Sequence, residues 1–179
     1  MEALDSYREL ARRMPLHEFV TLHPGLYLLK RPDPRADVGV AAADSGGALD
    51  YRTREVPAFG SFEIPSSPGA SGWRLLPIRK RPNGPFPDSI GVGRAPNCDV
   101  VLRYPFISKL HAQFLRDSLT MRLVDRGSAN GTCVNGTSLE PEKPMIVQVG
   151  DVVTFGKLEL KVVDAPTLYA KLKREARTD

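Results

Sequence analysis

At 179 residues the chain has room for one domain with extensions, or for two small ones, and a 41% apolar content is enough for a single core. The net charge of +4 is uneven: residues 1–72 hold 8 Lys/Arg against 10 Asp/Glu, residues 73–163 hold 13 against 8, and the tail holds 4 against 3. The basic middle favours an anionic partner, and no window approaches the roughly 20 apolar residues of a membrane-spanning helix.

Residues 1–31 read as an N-terminal helical and strand extension. Leu4, Tyr7, Leu10, Ala11 and Met14 recur at helical spacing, and Phe19 to Leu29 is expected to add a strand or two around Pro24-Gly25. Residues 32–72, rich in Ala, Gly, Ser, Pro and Asp, read as a flexible linker, with Phe59, Phe62 and Ile64 able to dock on a neighbour.

From Trp73 the pattern changes to short apolar runs separated by turns. Strands are expected at 73–78, 89–92, 99–102, 111–115, 120–124, 145–149, 151–155 and 158–163. The clearest is the last, where Leu158, Leu160 and Val162 alternate with Glu159 and Lys161. Asn135-Gly136 marks a two-residue hairpin, because a type I′ turn needs positive φ twice. Many short strands at close spacing predict an all-β sandwich or barrel over residues 73–163. Residues 164–179 then form a C-terminal helix and tail, with Leu168, Tyr169 and Leu172 on one face.

The acidic start MEALDSYREL is unlike an export signal. Cys98 and Cys133 are too few for a metal site or a disulfide scaffold. A cytoplasmic protein with reduced thiols is therefore expected, without metal or cofactor.

Four loop signals punctuate the β region: Gly93-Arg94 after a strand, Ser108-Lys109-Leu110-His111 before one, Asn130-Gly131 between strands, and Gly150-Asp151 near the end. Their order and spacing, in the segments GVGRAPNCDVVL, ISKLHAQF, DRGSANGTCVNG and VQVGDVVTFG, resemble the forkhead-associated (FHA) domain, a phosphothreonine-binding module. The resemblance implies an FHA-like sandwich of about eleven strands, here with short flanking helices at both ends. It implies that Arg94 and Ser108 take the phosphate, that Lys109 assists, and that Asn130 holds the peptide main chain. Gly93, His111 and Gly131 would support the site structurally. The physical chemistry agrees, since a phosphothreonine carries about −1.5 to −2 charges and three acceptor oxygens. An arginine fork and a serine hydroxyl answer both features. One departure stands out: many members carry Thr or Ser where this chain has Ala129, so one phosphate contact is missing.

The expected function is a non-catalytic, phosphothreonine-dependent adaptor in Ser/Thr kinase signalling. Its partner would be a phosphothreonine-containing protein, a Ser/Thr kinase or its substrate. Three other readings compete. An FHA-like scaffold could bind an unphosphorylated protein. Arg79-Lys80-Arg81 and KLKREAR could bind nucleic acid, although aromatic residues are not interleaved among them. Ser108, His111 and Asp125 or Asp117 could form a hydrolytic triad, but no G-x-S-x-G elbow is present. GVGR lacks the third glycine and the following helix of a dinucleotide fingerprint.

Overall fold

The computed structural model describes residues 4–31, 63–64, 73–82, 84–86, 88–117 and 120–175. In chain order these form α1 (Leu4–Arg13), α2 (Leu16–Leu22), β1 (Leu26–Lys30), β2 (Glu63–Ile64), β3 (Arg74–Ile78), β4 (Ser89–Gly93), β5 (Val100–Leu102) and β6 (Ala112–Arg116). There follow β7 (Met121–Asp125), β8 (Thr132–Val134), β9 (Thr137–Ser138), β10 (Met145–Val147), β11 (Val152–Phe155), β12 (Leu158–Asp164) and α3 (Ala165–Glu175).

Two six-stranded sheets stack face to face, one ordered β3-β1-β12-β11-β8-β9 and the other β10-β7-β6-β4-β5-β2. The all-β sandwich with short flanking helices is thus as expected, at twelve strands among the described residues. Alternation decides what lies between the sheets. In β12, Leu158, Leu160 and Val162 point inward beside Phe155, Phe114, Leu123 and Leu102. Such side chains contribute about 1.5–3 kcal/mol each on full burial.

The outward face of the first sheet is not left to solvent. Tyr27, Leu29, Leu75 and Val163 carry a second apolar layer with Tyr7, Ala11 and Phe19 from the N-terminal helices and Leu168 and Leu172 from α3. Tyr169 Oη donates to the Met14 carbonyl at 3.0 Å, joining the two ends of the chain. The Lys171 ammonium sits 3.5 Å from the centroid of the Trp73 ring. Residues 4–31 therefore do more than extend the sandwich: β1 lies inside the first sheet, antiparallel to both β3 and β12.

One local expectation needs correction. Residues 16–22 are helical, not strand, and β1 begins only at Leu26. Leu16, Phe19, Val20 and His23 fall three and four apart, which suits a helix, and Phe19 is fully buried between its neighbours. The Gly150-Asp151 and Asn135-Gly136 turns form as expected, with φ of 51° at Asn135 and 81° at Gly136. Asp164 starts α3 by accepting the Thr167 amide at 2.9 Å. Of the expected linker, Glu63–Ile64 pairs parallel with β5, whereas Phe59 and Phe62 lie outside the described residues.

Candidate functional site

Three loops meet at one end of the sandwich: 94–99 after β4, 103–111 before β6, and 126–131 before β8. The first two are zipped together by the backbone. Arg94 N–H donates to the Ser108 carbonyl at 2.9 Å, Ala95 N–H donates to the Lys109 carbonyl at 3.0 Å, and His111 N–H donates to the Val92 carbonyl at 2.8 Å. This close approach requires Gly93. A Cβ there would lie 2.2 Å from the Lys109 carbonyl oxygen and 3.0 Å from Cys98 Sγ. Gly93 is needed for space, whereas Gly131, at φ +72° with open room around it, is needed for its backbone conformation. Gly93→Ala is expected to cost about 1–3 kcal/mol through overpacking and to displace the Ser108 loop. Urea denaturation together with peptide titration checks both effects.

Arg94 is exposed, and its Nε donates to the Ile107 carbonyl at 3.1 Å. That bond aims the guanidinium along the Ser108 loop and leaves the terminal nitrogens for a ligand. Ser108 Oγ accepts the Ala129 N–H at 3.1 Å. Its own proton has no acceptor among the described residues, so the hydroxyl is set to donate outward. Asn130 Nδ2 donates to the Phe106 carbonyl at 2.8 Å, which leaves its side-chain oxygen to accept a main-chain N–H. Lys109 exposes its side chain and uses its carbonyl to hold Ala95 and, at 3.2 Å, Cys98 Sγ. Arg94, Ser108, Lys109 and Asn130 are therefore gathered on one rim.

His111 lies underneath, fully buried. The Ser108 N–H donates to Nδ1 at 3.2 Å, so the ring proton is on Nε2 and donates to the Gly131 carbonyl at 3.0 Å. One imidazole thus fastens the Ser108 loop to the Asn130 loop. Burial pulls its pKa below the ordinary histidine value, against the opposing effects of the Gly131 hydrogen bond and the Asp125 charge. The ring remains neutral. The hydrolytic triad fails on the same contacts, because His111 meets the amide of Ser108 and not its hydroxyl, and both ring nitrogens are occupied.

Two buried carboxylates, unforeseen as site supports in the sequence, shape the rim. Asp125 accepts the Ser128 amide at 2.9 Å, the Ser128 hydroxyl at 2.7 Å and the Thr132 hydroxyl at 2.6 Å. Burial alone would raise its pKa, but these hydrogen bonds and His111 outweigh it and hold the group below the usual carboxylate range. Ser128 is therefore committed inward and cannot supply the hydroxyl missing at Ala129. Asp99, also buried, accepts the Gly91 amide at 2.7 Å, the Arg81 amide at 2.9 Å and the Lys80 ammonium at 3.0 Å. The D-x-x-S spacing of Asp125 and Ser128 was the available signal for the first. Asp99 carried none, since its main partners are backbone amides.

The FHA domain model matches residues 90–156, the segment that contains every residue of this rim. The oxoglutarate dehydrogenase inhibitor of Corynebacterium glutamicum is 30% identical over 142 residues, covering 75% of this chain and 94% of that protein. Its counterpart from Corynebacterium diphtheriae is 38% identical over 143 residues, covering 69% and 98%. The chain belongs to the FHA family. Among solved structures, the MEK1 FHA domain in complex with the HOP1 pThr318 peptide is 28% identical with a TM-score of 0.41, covering 51% of this chain and 88% of that one. In this FHA protein the Gly-Arg, Ser-x-x-His and Asn-Gly elements of the resemblance lie on adjoining loops. No described helix is long and apolar enough to cross a membrane.

Proposed function

We infer that this FHA protein is a phosphothreonine-dependent protein-binding adaptor in Ser/Thr kinase signalling. The carrying observation is the zipped pair of loops, in which Arg94 is tied through its main chain and its Nε to the loop that bears Ser108, over a neutral histidine brace. In this reading residues 73–163 form the peptide-binding module, and residues 4–31 and 164–175 complete and cover its first sheet. Residues 32–72 connect residues 4–31 to the module, apart from Glu63–Ile64, which pair with β5.

Arg94 takes two phosphate oxygens with its fork, and Ser108 donates to a third. Lys109 adds a rim charge, and Asn130 accepts from the peptide main chain. Charge-assisted hydrogen bonds contribute roughly 1.5–3 kcal/mol each, so two or three separate micromolar binding from negligible binding of the plain peptide. The partner is a phosphothreonine-containing protein, a kinase or its substrate, met in the cytoplasm. The protein works without catalysis or cofactor, in keeping with relatives named as inhibitors of an enzyme.

Calorimetry with matched peptides, phosphorylated and plain, drawn from a degenerate phosphothreonine library is the test. Binding of the phosphorylated member at least about a hundredfold tighter is expected, equivalent to roughly 2.7 kcal/mol. Equal affinities would leave a scaffold that binds an unphosphorylated partner.

A further inference from the structure

Beside the rim, a groove of about 520 Å³ opens where the end of β1 meets the β11–β12 turn, lined by Lys30, Arg31, Tyr104, Phe106, Lys157 and Lys161 among others. A second, of about 470 Å³, runs between Trp73 and α3 and is lined also by Lys171 and Arg174. The two share Leu29, Arg31 and Lys161, so they adjoin, and together they are treated as one trough. Six cations line it against one carboxylate, Glu159. Lys30, Arg31, Lys157 and Lys161 form no ion pair among the described residues.

The trough starts at the phosphopeptide rim. Phe106, whose carbonyl receives the Asn130 amide, is also a wall of the first groove, stacked on Tyr104 at 5.2 Å between ring centroids. A chain seated at Asn130 therefore leaves the rim directly over a band of positive charge. We propose that this trough docks an acidic segment flanking the phosphothreonine in the same partner protein, so that partners are selected by charge beyond the phosphate.

Charge complementarity decides the chemistry, and the local geometry favours a peptide over a nucleic acid. Tyr104 and Phe106 are stacked on each other and half-buried, so they do not present successive open faces to bases. Glu159 sits in the trough, where it would oppose an evenly charged phosphate backbone but fit between the side chains of an irregular acidic run. The volume lies in the range of ligand-binding clefts. Single exposed ion pairs are weak, so the selectivity comes from three or four acting together.

The proposal rests on the phosphothreonine reading, and the test separates the two. The full chain is titrated with eight versions of one library-derived peptide: phosphorylated or plain, each with a flanking run of five Glu/Asp or five Ser/Gly, placed on one side or the other. About a tenfold gain from the acidic run on one side is expected, shrinking as salt rises from 50 to 500 mM, as about a threefold shorter screening length requires. The gain should vanish in R31E/K157E, both exposed positions, and in R31E/K161E. Binding of the neutral phosphopeptide should stay the same in both variants, with melting curves confirming the fold.

An identical gain in parent and variants overturns the trough, as does no gain on either side, while phosphate dependence still stands. Loss of phosphate dependence with the acidic gain retained overturns the phosphothreonine reading and leaves the trough. Single-stranded DNA and phosphatidylserine vesicles are run in parallel. Arg31-dependent binding to either, stronger than to the acidic peptide, assigns the surface to that class of molecule and overturns the proposal.

Discussion

Arg94→Ala is expected to weaken phosphopeptide binding by about two orders of magnitude while leaving the fold nearly untouched. The residue is exposed, and the one side-chain hydrogen bond it makes among the described residues is the 3.1 Å bond from Nε to the Ile107 carbonyl. Losing one such bond costs about 0.5–1.5 kcal/mol, or a few degrees in melting temperature for a chain of this size. A phosphate facing an alanine instead loses two charge-assisted bonds, about 3 kcal/mol or more.

Ser108→Ala behaves differently, because Ser108 Oγ also accepts the Ala129 amide at 3.1 Å. It removes one donor to phosphate and loosens the 126–131 loop, so about a tenfold loss is expected, with a slightly larger drop in melting temperature. Lys109→Ala should cost a few-fold at most, and less in high salt, since an exposed ammonium is screened. Calorimetry of all three against one phosphopeptide gives the ranking. Full affinity in Arg94→Ala would place the phosphate elsewhere.

The strands were readable because each satisfies a local rule. Leu158 to Val163 alternates, Asn135-Gly136 demands its turn, and Ser89 to Val92 is a short apolar run between polar loops. The rim residues were readable through their resemblance to a known order of motifs, and the fold then set them together. What escaped has a common physical cause, which is dependence on partners remote in sequence. Phe19 reads as strand because its helix is only seven residues long, and its burial is against Tyr7 and Tyr169. β1 belongs in the sheet only by pairing with strands far along the chain. Asp99 spends its carboxylate mainly on backbone amides, which no side-chain pattern records. The basic trough assembles β1, β12, a turn and α3, and its charges are unremarkable until the fold puts them side by side.

His111→Ala is expected to do to stability what Arg94→Ala does to binding. The imidazole is fully buried, stands edge-on to Phe155 at 5.7 Å between centroids, and bonds both the Ser108 amide and the Gly131 carbonyl. Its removal leaves a cavity and two unsatisfied backbone groups, for a cost of about 3–5 kcal/mol. Binding falls as well, because the loops holding Arg94 and Asn130 lose their common fastening.

The same residue predicts a pH signature. Its folded pKa is depressed, chiefly by burial, so the unfolded chain takes up a proton first as pH falls. The stability that the neutral ring provides is complete above the ordinary histidine value of about 6.5 and is lost progressively as pH drops from there toward the folded pKa. Asp125, whose folded pKa is also depressed, adds a separate loss only below about 4, as its carboxylate is protonated.

Urea denaturation of the peptide-free protein from pH 7.5 to 4.5 covers the histidine range and stays above the Asp125 step, and comparison with His111→Ala removes the shares of His17 and His23. Binding curves would not isolate the histidine step, since phosphothreonine itself titrates near pH 6. The parent should lose stability through this range, and His111→Ala should show a distinctly shallower slope from its lower starting point. Parallel slopes would mean that the ring is not held neutral, and the brace would then need another chemistry than a histidine accepting one amide and donating to one carbonyl.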